Sequence, residues 1–575
     1  MLHLTTNGLD CCEATALNQI ASKNPMKAAF CCRALLLLVL VPGCCQGGNI
    51  LVIPTEGSHW INMEILLKAL HSRGHNVTIA CSSKSWYIKE NSLYYSTFTV
   101  PMEKSLIDKD VLQKLLSEFI RLERGTLPIT SFLQMTLGLF SKLVEVHSAV
   151  SAFVPALLDD AELMRKLNET KFDLVLTDPC WGNGAILAKY MNLPLVYNVR
   201  WLMPEEAHFA IAPSPISYIP VTGSGHTDKM TFFQRIKNII LYLMTNLQSR
   251  FVTKQVYQPL CVLYVMTNLQ SRFVTKQVYQ PLCEKYLGPD CDFDLIKTDA
   301  DVWLMRTDFV FDYPRPTMPN VVYMGGFHCK PAEPLPDHME EFVQSSGEHG
   351  VIIMSLGTYV PQLPDDLADG IAAAFAKLPQ KVIWSYRGTK PSTLGNNTLV
   401  VDWMPQKDLL GHPKIKLFVA HGGTNGLQEA IYHGVPVVGL PLFFDQYDNL
   451  LRLQVKGAAK ILTLNTVDKD DNLFKAIQEV LNEPSYRLNM QRLSSLHRDQ
   501  PMKPIDTALF WIEYVMRHKG AAHLKAQSYR MPWYVYHSVD VALFLTGAVL
   551  LMLLVAAMFI RCLWKSFCGR KVKSD

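Results

Sequence analysis

Short runs of consecutive apolar residues, each stopped by glycine, proline or small polar residues, recur along this chain and alternate with stretches of helical spacing. The first run, 49–54, leads through Thr55-Glu56-Gly57-Ser58-His59-Trp60 into a predicted helix over 63–73, and the chain returns as a strand over 74–80. Further strands are predicted at 172–179, 351–358, 381–384, 398–401, 417–420 and 435–441. Runs that are apolar at every position suit strands buried on both faces, and strands alternating with helices build parallel sheets covered by helices. The fold class predicted is therefore α/β.

Other stretches mark boundaries. Pro314, Pro316, Pro319, Pro331, Pro334 and Pro336 predict an extended linker over 313–347 between two units, 48–312 and 348–500. A helix is expected over 505–518 within a juxtamembrane segment, 501–534. Residues 541–560 are uncharged and mostly apolar, enough for about 20 residues of bilayer-spanning helix. The span is placed at 535–561, with a basic tail at 562–575. Met26-Lys27, Arg33, the apolar run 34–41 and the small residues after it have the form of a signal peptide over 26–47, preceded by an extension, 1–25, without apolar periodicity. The 18-residue string MTNLQSRFVTKQVYQPLC occurs at 244–261 and again, identically, at 266–283. Solenoid repeats diverge and recur several times, so this identity marks a recent duplication or an error in the gene model. A 22-residue offset is about six helical turns, which keeps the apolar face in phase. Just upstream, 230–240 is amphipathic with basic residues, and reads as a packed surface helix or a membrane-surface helix.

Composition narrows the partners. With 575 residues, 49% of them hydrophobic, and a net charge of only +4, the chain suits two domains tied to a membrane. No basic run interleaved with aromatics points to nucleic acid. The 14 cysteines show no metal-ligand spacing, and those of the folded part are expected to be mostly buried thiols.

The densest candidate chemistry lies in 403–446. A strand ends at Ala420, the turn His421-Gly422-Gly423-Thr424-Asn425-Gly426 follows, and a helix starts near Leu427. Glycines admit close backbone approach, and a helix N-terminus aims N–H groups and a partial positive charge at an anion. The next strand delivers Asp445-Gln446 to the same carboxyl edge, while Trp403 and Gln406 supply a flat face and an amide. A stacking aromatic, hydroxyl-reading amides and carboxylate, and an N–H cradle together describe a nucleotide-sugar site. In the first unit, His59 and Asp178 stand after strands at the ligand-facing edge.

This stretch closely resembles the signature of the UDP-glycosyltransferases, in particular the vertebrate membrane-bound UDP-glucuronosyltransferases, and the resemblance runs from about Gly48 to the C-terminus. It implies a GT-B architecture of two Rossmann-like domains facing a cleft: an acceptor-binding domain at 48–312 and a UDP-sugar-binding domain at 348–500. It further implies that Trp403 stacks on uracil, that Gln406 and Glu429 hold the ribose, and that His421, Gly422, Gly423 and Asn425 bind the phosphates. Asp445 and Gln446 would bind the sugar, and Ser355 and Thr358 would lie near the diphosphate. His59 becomes the catalytic base and Asp178 its orienting partner. Many relatives carry an arginine where this chain has Ser385, so Arg387 becomes the candidate for a donor carboxylate, provided residue 387 continues the strand of 385 and shares its face. The expected reaction is inverting transfer of glucuronic acid from UDP-glucuronate, without cofactor or metal, to small lipophilic acceptors. The alternatives are another UDP-hexose donor or a weakly catalytic partner subunit. Also implied are a single-pass type I protein of the endoplasmic reticulum membrane with lumenal domains, homo- or hetero-oligomers with relatives, and glycans at Asn168 and Asn396.

Overall fold

The computed structural model describes residues 47–568 apart from 91, 104–116, 119, 122–123, 125–137, 139–140, 143, 201–210, 222, 248–273, 358–359, 361 and 444. The extension 1–25, nearly all of the signal segment, Thr358, most of the first repeat copy and the end of the basic tail lie outside the described residues.

Two parallel sheets carry the fold. The first contains β1 (Asn49–Ile53), β2 (Asn76–Ser82), β3 (Ser96–Val100), β4 (Leu174–Thr177), β5 (Leu195–Val199), β6 (Val302–Met305) and β7 (Val321–Tyr323), in the order β3-β2-β1-β4-β5-β6-β7. The second contains β8 (Val351–Ser355), β9 (Lys381–Ser385), β10 (Thr398–Val401), β11 (Ile415–Ala420), β12 (Val437–Gly439) and β13 (Ala459–Ile461), in the order β10-β9-β8-β11-β12-β13. Their central strands are buried at nearly every position, as the uninterrupted apolar runs require. In each sheet the chain winds outward and then restarts on the other side of its first strand. The switch points fall between β1 and β4 and between β8 and β11, where open α/β sheets bind ligands.

The helices that matter below are α1 (Ser58–Ser72), α2 (Phe232–Leu247), α3 (Gln280–Leu287), α4 (Asp337–Gln344), α5 (Thr424–His433), α6 (Gln446–Val455), α7 (Pro484–Arg498), α8 (Pro504–His518) and α9 (Val539–Cys568). Apolar layers cover both faces of both sheets. Ala508, Leu509, Ile512 and Val515 of α8 belong to the layer on the first sheet, so the chain returns to its first unit after completing the second. Helix α9 has an apolar window long enough to cross a membrane, and none of that window is buried.

Three expectations are corrected. The stretch 313–347 is not an extended linker throughout, because β7 pairs with β6 at Trp303–Val321 and α4 follows. Its prolines flank these elements rather than fill them. The cysteines are not all thiols: Cys283 and Cys291 form a disulfide at the end of α3. That bond joins the last residue of the second repeat copy to a cysteine beyond it, and Val274, Val278, Tyr279 and Cys283 of this copy pack against Phe293. Finally, α1 begins at Ser58 rather than near 63, so His59 sits in the first turn of a helix and not in the loop before it.

Candidate active site

At the first switch point, the Thr177 hydroxyl donates to the Ile53 carbonyl at 2.8 Å, locking the carboxyl ends of β1 and β4 side by side. The next residue of β4's chain, Asp178, thereby meets the start of α1. His59 Nδ1 lies 2.6 Å from Asp178 Oδ2 with both side chains buried, and the Cys180 N–H donates to Asp178 Oδ1 at 2.9 Å. Burial pushes the His59 imidazole below its ordinary range; Asp178 pulls it back up, and Arg200 and Arg306 push it down again. Burial alone would raise Asp178, but His59, Arg306 and the Cys180 N–H hold its carboxyl below the ordinary value. The result is a neutral imidazole with its Nδ1–H on a carboxylate, which puts the lone pair on Nε2.

The second switch point faces the first. Register pairing of Ser355 with Ala420 sets His421 beside the turn after β8, and His421 Nδ1–H donates to the Ser355 carbonyl at 3.4 Å. Burial lowers the His421 pKa to about 4, against the Ser355 carbonyl and with help from Arg200. Gly422 has φ +95°, and a Cβ there would run into the Gln446 carbonyl oxygen, so only glycine allows this turn to lie against α6. Gln406 Nε2 donates to Glu429 Oε2 at 2.7 Å; burial raises the Glu429 carboxyl to about 7 despite that bond. Trp403 is 73% exposed, an uncovered aromatic face ahead of Gln406. Asp445 is buried and accepts from Asn449 Nδ2 at 2.9 Å. Gln446 Oε1 accepts from the Leu442 and Phe443 N–H groups at 2.8 and 3.2 Å, so the loop uses its carbonyl end and the NH2 end remains the part it can offer a ligand. Ser355 closes β8.

The two halves touch. Asn62 Nδ2, one turn along α1 from His59, donates to Asn425 Oδ1 at 2.7 Å, and His328 Nε2 lies 3.3 Å from the Asn425 carbonyl. Gln428 of α5 accepts from the Gly326 N–H at 3.0 Å and donates to the Arg306 carbonyl at 2.7 Å. The N-terminal half of α5 is thus gripped by loops of the first sheet. Arg200 and Arg306 follow directly on β5 and β6, whose last residues, Val199 and Met305, are register partners. These two arginines, Asn62 and His328 were not singled out in the sequence. The signal was present for the arginines, since each is the first residue after an apolar strand, the rule that picked out Asp178. Arg387 is placed differently from expectation: β9 ends at Ser385, so the alternation argument stops there, and Arg387 is exposed in the following loop. Asn168 and Asn396 are both exposed.

The comparisons agree with this geometry. The family described as "UDP-glucoronosyl and UDP-glucosyl transferase" matches residues 48–270 and 244–574. The chain belongs to this family. The two matches overlap at 244–270, where the repeat begins, as expected if an element present once in the family occurs twice here. Mouse UDP-glucuronosyltransferase 2A1 is 40% identical over 528 residues, 91% of this chain and 94% of the relative. Rat UDP-glucuronosyltransferase 2B1 is 42% identical over 541 residues, 93% and 96%, and human UDP-glucuronosyltransferase 2A2 is 42% identical over 509 residues, 87% and 89%. Among solved structures, spinosyn forosaminyltransferase SpnP has a TM-score of 0.53 at 17% identity, covering 82% of this chain and 100% of its own. A UDP-glucose:anthocyanidin 3-O-glucosyltransferase in complex with UDP has 0.51 at 14% identity, covering 82% and 99%. These structures show the fold alone, which is GT-B. The family member described here is accordingly a glycosyltransferase that uses a UDP-sugar.

Proposed function

We propose that this enzyme transfers glucuronic acid from UDP-glucuronate, with inversion, to a hydroxyl of small lipophilic acceptors, and that His59 is the general base. The buried His59–Asp178 pair facing the donor turn across the cleft carries this reading. The acceptor O–H gives its proton to His59 Nε2 as its oxygen forms the bond to the anomeric carbon. The bond from that carbon to UDP breaks on the opposite face, and the electron pair leaves with UDP. Asp178 stabilises the imidazolium that results. Backbone N–H groups at the start of α5 and the imidazole of His421 would receive the diphosphate, whose negative charge the helix N-terminus favours. Trp403 would stack on uracil, Gln406 and Glu429 hold the ribose, and Asp445 and Gln446 hold the sugar. Arg200 and Arg306 place positive charge at the cleft edge, which suits a donor with an acidic sugar.

Helix α9, with Tyr534 and Tyr536 before it and Arg561 and Lys565 toward its far end, supports a single membrane span with the two sheets on the lumenal side of the endoplasmic reticulum.

The test is an assay of the full-length protein in membranes with UDP-glucuronate and UDP-glucose in competition, a set of phenolic and steroidal acceptors, and product stereochemistry read by NMR. The expected product is the β-glucuronide formed from the α-linked donor. A product of retained configuration would overturn the base mechanism, and preference for UDP-glucose would overturn the donor.

A further inference from the structure

Helix α2 shows solvent its apolar side. Phe232 is 62% and Phe233 79% exposed, and Ile236, Ile239 and Ile240 are exposed with them. At about 100° per residue these five side chains fall within an arc of about 120°, with Arg235 at one edge and Lys237 at the other. The opposite side is fixed to the protein. Asn238 is fully buried, accepts from the Val221 N–H at 2.8 Å and donates to the Ile216 and Ile219 carbonyls, each at 2.9 Å. Leu241 and Tyr242 pack against Val221. A helix whose polar asparagine holds the fold while its phenylalanines face outward has the reverse of the pattern expected for water on its outer side.

The neighbourhood says what covers this face. Burial, and then the nearby Tyr536 phenol, raise the Tyr242 phenol above its ordinary range, so α2 approaches the short aromatic segment that leads into α9. Tyr534 and Tyr536 of that segment are exposed as well. Two-fold pairing of the face with a second copy would bring its flanking cations toward their own equivalents, whereas an anionic lipid surface complements them.

We propose that the outer face of α2 lies in the surface of the bilayer that α9 enters, with its phenylalanines and isoleucines among the acyl chains and its basic flanks at anionic headgroups. The inference rests on the reading of α9 as a membrane span. It has a consequence for the cleft: the loop held by Asn238 also donates the Gly223 N–H to Asp448 at 2.6 Å, on α6 two residues after Gln446. The bilayer contact is therefore two hydrogen-bonded steps from the sugar-binding end of the donor site.

The test is photocrosslinking of the full-length protein reconstituted in phosphatidylcholine vesicles containing phosphatidylserine. A p-benzoylphenylalanine is installed in place of Phe233, of Leu551 within α9, or of the exposed Leu488 on α7. Mass spectrometry is expected to find lipid adducts at 233 and 551 and none at 488. Adducts at 551 without adducts at 233 would overturn the surface contact while leaving the span intact. Adducts at 233 to a second copy of the chain would overturn it in favour of a dimer, and adducts at neither 233 nor 551 would sink both readings. Lipid at 233 but not at 551 would leave the surface contact standing and remove the span.

Discussion

Replacing Asp178 by asparagine tests the centre of the mechanism with least disturbance to the fold. Asparagine is nearly isosteric; with its single carbonyl oxygen toward His59 it still accepts the 2.6 Å bond from Nδ1–H and the ring keeps its orientation, while the bond that Asp178 Oδ1 accepts from the Cys180 N–H is given up. What disappears is the charge opposite the imidazolium. A hydrogen bond to a charged group contributes about 1.5–3 kcal/mol net, and at about 1.36 kcal/mol per tenfold this predicts a kcat loss of ~10- to 150-fold. Removing the base itself, in His59→Ala, is expected to cost ~10²- to 10⁴-fold. The two variants also differ in pH dependence. Burial depresses the His59 pKa and Asp178 opposes that depression, so Asp178→Asn lowers it further. The base must be neutral to act, and the acid limb of kcat/KM reports its protonation in the free enzyme. That limb already lies below the ordinary histidine range and moves to still lower pH in the variant. The assay is initial rate against pH by product chromatography, with UDP affinity from calorimetry and the fold checked by thermal unfolding. UDP affinity is expected to stay unchanged, because the proposed nucleotide contacts belong to the second sheet. An unaltered kcat, or an acid limb moving upward, would refute the pairing's catalytic role. A drop in melting temperature and UDP affinity together with kcat, but no movement of the limb, would make Asp178 a structural residue.

Two further outcomes follow from the nucleotide site. Burial holds Glu429 near about 7 in the unliganded protein, whereas ribose hydroxyls donating to it favour the carboxylate, so uridine binding at neutral pH is expected to release a fraction of a proton. Calorimetry in buffers of different ionisation enthalpy reads that release, uridine avoids any proton taken up at the phosphates, and a buffer-independent enthalpy, or one unchanged in Glu429→Gln, would remove Glu429 from the ribose. Trp403→Ala, at an exposed platform where truncation leaves no cavity, is expected to weaken UDP binding by about 1–3 kcal/mol with no change in melting temperature; unchanged affinity would exclude stacking.

The amino-acid sequence by itself determined eight of the thirteen strands among the described residues; β3, β5, β6, β7 and β13 were not predicted from it. Runs such as 50–53 and 417–420 are apolar at every position because each is buried on both faces, a signal that needs no knowledge of partners. The proposed donor residues from His421 to Gln446 lie within two consecutive strand–helix units on adjacent strands, β11 and β12, so their meeting at one sheet edge follows from local connectivity, whereas Trp403 and Gln406 follow β10 at the far edge of the sheet, and the bond of Gln406 to Glu429 is a product of the assembled fold. Tertiary structure decided what depends on strand order. His59 and Asp178 are far apart in sequence and become neighbours because β4 inserts beside β1. Arg200 and Arg306 share the cleft because β5 and β6 are adjacent, and nothing periodic in either segment announces that adjacency. The return of α8 to the first sheet and the hold of Asn62, Gly326 and Arg306 on α5 are likewise contacts between distant segments. In the second of the two identical repeat copies, Tyr279 packs against Phe293 and Cys283 is bonded to Cys291, partners that lie beyond the repeated string. Local periodicity records how much of a segment is buried, whereas the identity of the burying partner is a property of the assembled sheets.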